Sequence, residues 1–312
     1  MKEPNILVVG SLNMDIVIEA DRAPLAGETI MGQHSSFIPG GKGANQAVAL
    51  AKLGAQTTLL GAVGNDPFGT SLLRSLKDNG VETGQIKKVD HAPTGIASIL
   101  LAEGDNRIVV VPGANDDCLP EDIREHEDLI EKADLVLLQL EIPLDTVITT
   151  AKIAKKFGKT VILNPAPARS LPEELLQNVD YITPNHSELG ILSKMDQEGF
   201  DLNRAMEILQ RSGVDNVITT LGSEGATYKS QESAVKTAPA YQVPVVDTTG
   251  AGDAFNAGLS YAIGMDKDIS EAVSFASKVS ALSVTKFGAQ AGMPDRKAVE
   301  AFDTPPLNKD GN

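Results

Sequence analysis

Asp247-Thr248-Thr249-Gly250-Ala251-Gly252-Asp253 follows the apolar, β-branched run Tyr241-Gln242-Val243-Pro244-Val245-Val246 and leads into Ala254-Phe255-Asn256-Ala257-Gly258-Leu259. A glycine-rich turn opens a helix, predicted over 251–263, with a carboxylate in its first turn. Small residues leave main-chain N–H groups bare, and a helix start presents unpaired N–H groups and a partial positive charge. That is a seat for phosphate. An Asp beside it is electrostatically odd unless it takes a proton from a hydroxyl that attacks phosphorus. The plainer alternative is a capping Asp with glycines for a tight turn. Asp247, the two threonines and a second glycine-rich element upstream weigh against it.

That second element is Pro39-Gly40-Gly41-Lys42-Gly43-Ala44-Asn45, before a helix predicted over 44–53 with Gly54 as its stop. It is not a P-loop, because no Ser or Thr follows Gly-Lys, and it does not fit the dinucleotide fingerprint. The glycines admit a ligand close to the backbone, and Lys42 and Asn45 supply the donors and acceptor that a polyol needs. A flexible turn with a helix cap is the alternative. Asn13 and Asp15 follow the first strand; an Asp can accept from two adjacent hydroxyls and an Asn can bridge a third, or the pair forms an Asx turn. Glu141 ends a strand over 134–140, where substrates bind in parallel sheets, or it caps the next helix.

Asn185-His186-Ser187-Glu188 puts an amide and an acid on one face of a helix start. They could order water around magnesium near a phosphate, although the same pattern is a capping box. Thr219-Thr220-Leu221-Gly222-Ser223-Glu224-Gly225 ends another strand with two glycines, passing under a nucleotide or making only a tight turn.

Short apolar strands at 6–10, 57–63, 134–140, 161–163, 181–183 and 216–220 alternate with helices at 44–53, 68–79, 144–157, 172–177, 187–192 and 202–211. This predicts an α/β fold with a parallel sheet and helices on both faces. Two segment pairs break the rhythm: 15–20 with 29–38, and 96–101 with 107–111 around the hairpin signal Ala102-Glu103-Gly104-Asp105-Asn106. They form a small separate sheet, a lid, or an edge hairpin. The C-terminal third is helical at 251–263, 269–285 and 295–302, and the polar tail 304–312 is expected to fray.

With 312 residues, of which 42% are hydrophobic, the chain suffices for one large α/β domain. A net charge of −15 argues against nucleic-acid and anionic-membrane partners but not against a nucleotide held locally by magnesium and a helix start. The single Cys118 excludes internal disulfides and Cys-rich zinc sites, and the four histidines lack metal-ligand spacing. No signal peptide or span of ~20 apolar residues is seen, so a cytoplasmic setting is expected.

Together these elements resemble the ribokinase (PfkB-type) family of sugar and nucleoside kinases, from Gly10 to about Pro294. Its two signatures are matched by Gly40-Gly41-Lys42-Gly43-Ala44-Asn45 and Asp247-Thr248-Thr249-Gly250-Ala251-Gly252-Asp253. Asn13-Met14-Asp15, Gly27-Glu28-Thr29, Gly41–Gln46, Gln139-Leu140-Glu141-Ile142-Pro143 and Asn164-Pro165-Ala166-Pro167 resemble the ribose kinases within it more than other members. The resemblance implies a three-layer αβα fold of ribokinase type, one domain over 1–312, with a small β-sheet lid from about 15–38 and 96–111 that often builds a homodimer. It implies ATP-dependent phosphorylation of D-ribose at O5. Asn13, Met14, Asp15, Gly41, Lys42, Gly43, Ala44, Asn45 and Glu141 would hold the sugar and Asp253 would be the base. Gly250, Ala251 and Gly252 would form the anion hole. Asn185, Thr220, Leu221, Gly222, Ser223, Glu224, Gly225 and Ser277, with Gly252 and Asp253, would meet ATP, with Glu188 tending magnesium through water. An activating potassium ion would be held by Asp247, Thr249, Ser283, Lys286, Gly288 and Gly292, mostly through carbonyls; where Gly292 stands the family often has Ser, so a side-chain ligand is missing. The rival readings are a related kinase for 2-deoxyribose, fructose or a nucleoside, and a non-catalytic sugar or nucleotide sensor. A nicotinamide oxidoreductase lacks its glycine fingerprint.

Overall fold

Apolar strand runs without polar alternation must be covered on both faces, and the computed structural model, which describes residues 3–103, 105–195, 199–231 and 233–307, bears this out. The large sheet runs, in spatial order, β14 (Lys236–Ala238), β13 (Ala226–Ser230), β12 (Asn216–Thr220), β11 (Tyr181–Ile182), β10 (Thr160–Leu163), β9 (Leu135–Leu138), β1 (Asn5–Val9) and β4 (Gln56–Leu60). β4 to β12 pair in parallel, and β13 and β14 add an antiparallel edge. Side chains alternate between two cores: Ile6, Val8, Leu135, Leu137, Ile162 and Ile218 face one, Leu7, Val9, Val136, Leu138, Val161 and Val217 the other. The first core is closed by the helices Lys42–Leu53, Pro67–Asp78, Ala251–Gly264 and Ile269–Ser283, the second by Leu144–Lys156, His186–Ser193 and Leu202–Arg211. Gly258 lets the Ala251–Gly264 and Ile269–Ser283 helices approach closely, since a Cβ there would lie 2.9 Å from Ala276 Cα.

The irregular segments do form a second sheet, ordered β3 (His34–Gly40), β2 (Asn13–Glu19), β7 (Gly95–Ala102) and β8 (Asp105–Val111). The edge-hairpin alternative is thereby set aside. Its own apolar cluster is small: Val17, Ala97 and Ile99 with Ile38 and Leu101 against them. Gly104, in the hairpin signal, lies outside the described residues.

Two expectations change, and one apolar run behaves unlike the strands. The predicted strand over 57–63 breaks at Gly61, and β5 (Ala62–Gly64) leaves to pair with β6 (Lys87–Val89). A Cβ at Gly61 would lie 2.6 Å from the Gly10 carbonyl oxygen, so the chain bends where the two strand ends meet. The run 241–246 enters no sheet; Pro244 lacks a donor, and Val245 and Val246 are 63% and 61% exposed. The N–H groups of Val246 and Asp247 instead donate to the Val284 carbonyl at 2.8 and 3.2 Å. The tail is docked as far as Leu307, whose N–H donates to the Ala240 carbonyl at 2.8 Å; residues 308–312 lie outside the described residues. Among the described residues no helix is long and apolar enough to cross a membrane.

Candidate active site

The site lies at the carboxyl ends of the parallel strands, where the second sheet meets the large one. The Ala251–Gly264 helix begins after Gly250, whose φ of 79° is a left-handed conformation suited to glycine. No side chain caps this helix. The Ala251 N–H donates to the Thr248 carbonyl at 3.2 Å, and residues 250–253 line a cavity of about 160 Å³ with Lys42, Asn164, Thr183, Asn185, Glu188 and Asn256. A Cβ on Gly252 would meet nothing within 4 Å, so that wall is open.

Asp253 is 7% exposed. Its Oδ2 accepts from Asn45 Nδ2 at 2.9 Å and its Oδ1 from Gln46 Nε2 at 3.0 Å, both from the Lys42–Leu53 helix that the glycine-rich element opens. Burial pushes the Asp253 carboxyl above its ordinary range, and Glu141 adds to this; Lys42 and the two amides oppose it. Burial would lower the Lys42 ammonium, but Asp253, Glu141, Glu188 and Asp15 outweigh it and hold the charge.

Toward the second sheet lies a polar cluster. Glu141 Oε2 accepts from Ser11 Oγ at 2.6 Å, from the Lys42 N–H at 3.3 Å and from Asn13 Nδ2 at 3.4 Å. Asn115 braces the strand start, accepting from the Leu12 N–H at 2.9 Å and donating to Asn13 Oδ1 at 2.8 Å. The Asp15 carboxylate lies against Gly40, where a Cβ would be 2.3 Å from Oδ2. Burial, with Glu141 and Asp253 nearby and Lys42 opposing, pushes Asp15 up to about 7. Asn13 and Asp15 share a strand face by the period of two, whereas Met14 turns its side chain into the core. Gly43 and Ala44 are likewise occupied: their N–H groups donate to Ser11 Oγ and the Ser11 carbonyl, at 3.4 and 2.9 Å. Met14, Gly43 and Ala44 therefore back this polar cluster rather than face its open side.

On the other side of the helix start is a larger cavity, about 460 Å³, sharing Thr220, Thr248, Ala251 and Gly252 with the smaller one. Gly222, Ser223, Gly225 and Ser277 line it; Leu221 and Glu224, in the same turn, are not among its lining residues. Ser277 Oγ is committed to its own helix, donating to the Val273 carbonyl at 2.9 Å. The rest of the wall is largely apolar, from Tyr241, Val243, Val245, Phe255, Val284 and Leu307. That explains why Val245 is exposed outside any sheet.

Asn185 and Glu188 form the capping box: Asn185 Oδ1 accepts from the Glu188 N–H and Glu188 Oε2 from the Asn185 N–H, each at 2.8 Å. Both still line the smaller cavity, so capping and ligand binding coexist. Burial raises the Glu188 carboxyl, against the Asn185 bond and Lys42. No cluster of three or more His, Cys, Asp or Glu that could hold a metal exists among the described residues. Magnesium bound chiefly through nucleotide phosphates and water, with one carboxylate beside it, fits this donor set.

Asp247 holds two loops together. Its Oδ1 accepts from the Thr249 N–H at 2.9 Å and its Oδ2 from the Gly288 N–H at 2.8 Å. Nearby, a Cβ on Gly292 would lie 2.5 Å from the Ser283 carbonyl oxygen and 3.5 Å from that of Lys286. Both carbonyl oxygens thus lie close to Gly292. A side chain at 292 would crowd the Ser283 carbonyl, so glycine here fits the local packing.

Sequence reasoning gave no site role to Gln46, Asn115, Asn164, Thr183, Asn256 and Gln290, although Gln46 and Asn164 stand in stretches it singled out. Gln46 adjoins the glycine-rich motif and was the one most within reach. Asn115, in the short 3-10 turn Gly113–Asp117, carries no local signal.

The family model described as pfkB family carbohydrate kinase matches residues 3–296. A ribokinase of Bacillus subtilis is 45% identical over 296 residues, covering 95% of this chain and 98% of that protein. A deoxyribokinase of Salmonella typhi is 36% identical over 302 residues, covering 96% and 97%. The structure of Arabidopsis thaliana ribokinase complexed with ribose and ATP superposes with a TM-score of 0.89 at 38% identity, covering 96% of this chain and 98% of that one.

Proposed function

The chain belongs to the pfkB family of carbohydrate kinases, and from that premise we propose that it transfers the γ-phosphoryl group of ATP to O5 of D-ribose. The observation that carries this is Asp253, buried and held by two amides at an uncapped, glycine-lined helix start. Asn13, Asp15, Lys42, Asn45 and Glu141 bind the sugar hydroxyls. Asp253 takes the proton from the 5-hydroxyl as it attacks phosphorus, and the N–H groups of residues 250–252 stabilise the charge that develops. ATP extends from this seat into the larger cavity, its base against the apolar wall and Ser277, its phosphates over Thr220–Gly225 and Asn185. Glu188 would orient water around magnesium, and that ion would supply neutralisation of phosphate charge. Asp247 with the carbonyls of Thr249, Ser283 and Lys286, and the loop of Gly288 and Gly292, would hold potassium and fix the turn before Gly250.

The second sheet serves as a lid over the sugar, excluding the water that would otherwise accept the phosphoryl group. Every residue of β8 is exposed, including Ile108, Val109, Val110 and Val111, and Phe37 on β3 is exposed as well. An apolar edge strand of this kind is an aggregation hazard unless covered, which supports a homodimer paired through the lid. A cytoplasmic setting suits an enzyme fed by ATP.

The relative named deoxyribokinase keeps 2-deoxyribose as the second reading. Purified protein with ATP, magnesium and potassium is expected to consume ATP on adding ribose, faster than with 2-deoxyribose, fructose or adenosine. Omitting potassium should lower the rate. No ribose-dependent ATP consumption would refute the proposal; a higher kcat/KM for 2-deoxyribose would move it to the second reading.

The raised Asp15 carboxyl makes sugar binding pH-dependent. Hydroxyl donors favour the ionised form, so binding ribose should release a proton near pH 7 and affinity should fall as pH drops below that value. The sign for stability is opposite to that of an ordinary surface carboxylate. Folded Asp15 keeps its proton between about pH 4 and 7 while the unfolded chain has lost it, so sugar-free protein loses stability as pH rises through that window. Calorimetry of ribose binding in buffers of different ionisation heat should show proton release at pH 7 and none at pH 9. Binding without proton release at pH 7 would contradict the assignment of Asp15.

A further inference from the structure

Both oxygens of Asp253 are met by amide nitrogens, and each of those amides is itself held by a glutamine. An ionised carboxylate only accepts hydrogen bonds, so Asn45 and Gln46 must turn their nitrogens toward it. Their oxygens then face away and need donors. Gln139 Nε2 donates to Gln46 Oε1 at 2.6 Å, and Gln290 Nε2 donates to Asn45 Oδ1 at 3.2 Å. The two glutamines come from distant parts of the chain, one after β9 and the other from the turn Ala289–Gly292. The second hydrogen of Gln46 goes to Asn164 Oδ1 at 3.1 Å, leaving that amide fully satisfied.

We propose that Gln139 and Gln290 are positioning residues: acting through Gln46 and Asn45, they lock both amides with nitrogen toward Asp253 and so hold the base in plane and ready to accept a proton. This rests on the kinase reading above and deepens it. Neither glutamine bonds to Asp253. Gln139 is fully buried and its own Oε1 has no partner. Its amide fills the space that the missing side chain of Gly10 leaves, for a Cβ there would lie 1.9 Å from that oxygen. A buried amide kept with one unsatisfied oxygen is costly, and the donor it supplies to Gln46 gives a reason for it. Gln290 is steadied in turn by Ser75 Oγ, which donates to its Oε1 at 3.2 Å.

Without its glutamine, Gln46 or Asn45 is free to turn its oxygen toward Asp253. One donor to the carboxylate is then lost and protonation becomes easier. The charged groups around Asp253 (Lys42 on the Lys42–Leu53 helix, Glu141 after β9, Asp15 on β2 and Glu188 on the His186–Ser193 helix) are untouched by either change.

The test compares wild type with Gln139→Met, Gln290→Met and the double variant, measuring kcat, the KM values for ribose and ATP, and the pH profile of kcat. Methionine keeps the length and removes the donor. Each single variant should lose about tenfold in kcat near neutral pH, with both KM values within about twofold. The acid limb should move up by about one pH unit, so that alkaline pH restores most of the rate. The double variant should move the limb further than either single one. A loss of thermal stability with an unshifted pH profile, or a rise in KM alone, would overturn the inference and make the glutamines packing residues. Should Gln139→Met fail to fold, Gln290→Met decides alone. Wild type without ribose-dependent turnover would overturn the kinase reading and this inference with it. Wild-type turnover with unshifted variants overturns only the inference.

Discussion

Gly250→Ala is expected to cut kcat by about 10²-fold and to lower the melting temperature, whereas Gly252→Ala should leave the melting temperature unchanged and raise the KM for ATP. The two glycines stand two residues apart and differ in what surrounds them. Gly250 has a φ of 79°, which costs a residue with a side chain about 1–2 kcal/mol. A Cβ there would also lie 2.9 Å from Ala289 Cβ and 3.2 Å from Ala289 Cα. Relief requires a shift of the turn or of the Ala289–Gly292 segment. Either movement would misalign the first-turn N–H groups that the proposed mechanism sets against the transferred phosphoryl. Gly252 has ordinary helical φ and open space beyond it, so a methyl group is tolerated by the fold but enters the wall shared by the two cavities. Thermal unfolding and steady-state kinetics on both variants check this. Full kcat in Gly250→Ala would mean that the helix start is not the phosphoryl seat.

Much of this arrangement is legible before folding because it is local. The αβ rhythm follows from apolar runs and helix stops, and Leu202–Arg211 is bounded as the pattern predicts, by Asp201 capping at its start. The two glycine-rich motifs are contiguous, and each builds its half of the site from neighbouring residues. What stays hidden depends on contacts between distant segments. Gln46 closes a motif stretch, but its role emerges only when the chain after β9 brings Gln139 against it. Asn115 acquires a role only when its turn meets Leu12 and Asn13. The run 241–246 has strand composition but lines a cavity, because Pro244 interrupts pairing and the Val284 carbonyl captures its last N–H groups. Local pattern also misleads where side chains alternate: Met14 sits between two site residues and faces the core.

Asp253→Asn bears on everything above. Burial in the site raises this carboxyl, yet Lys42 and two amide donors oppose that rise, the balance expected of a base that must be ionised to work and still receive a proton. Asparagine keeps the shape and removes the proton acceptor. One of the amides from Asn45 or Gln46 would then face an NH₂ group and must turn away, a cost partly offset by removing a buried charge. The proposed ribose contacts through Asn13, Asp15 and Glu141 keep their positions, although loss of the Asp253 charge also eases ionisation of the Asp15 carboxyl. General-base assistance is worth about 10²–10⁴-fold, and loss of the acceptor removes it without emptying the sugar site. The decisive measurement is kcat of Asp253→Asn on ribose, paired with calorimetric ribose binding to the same protein. The account predicts a fall in kcat of about 10³-fold with ribose still bound; turnover within a few-fold of wild type would contradict it.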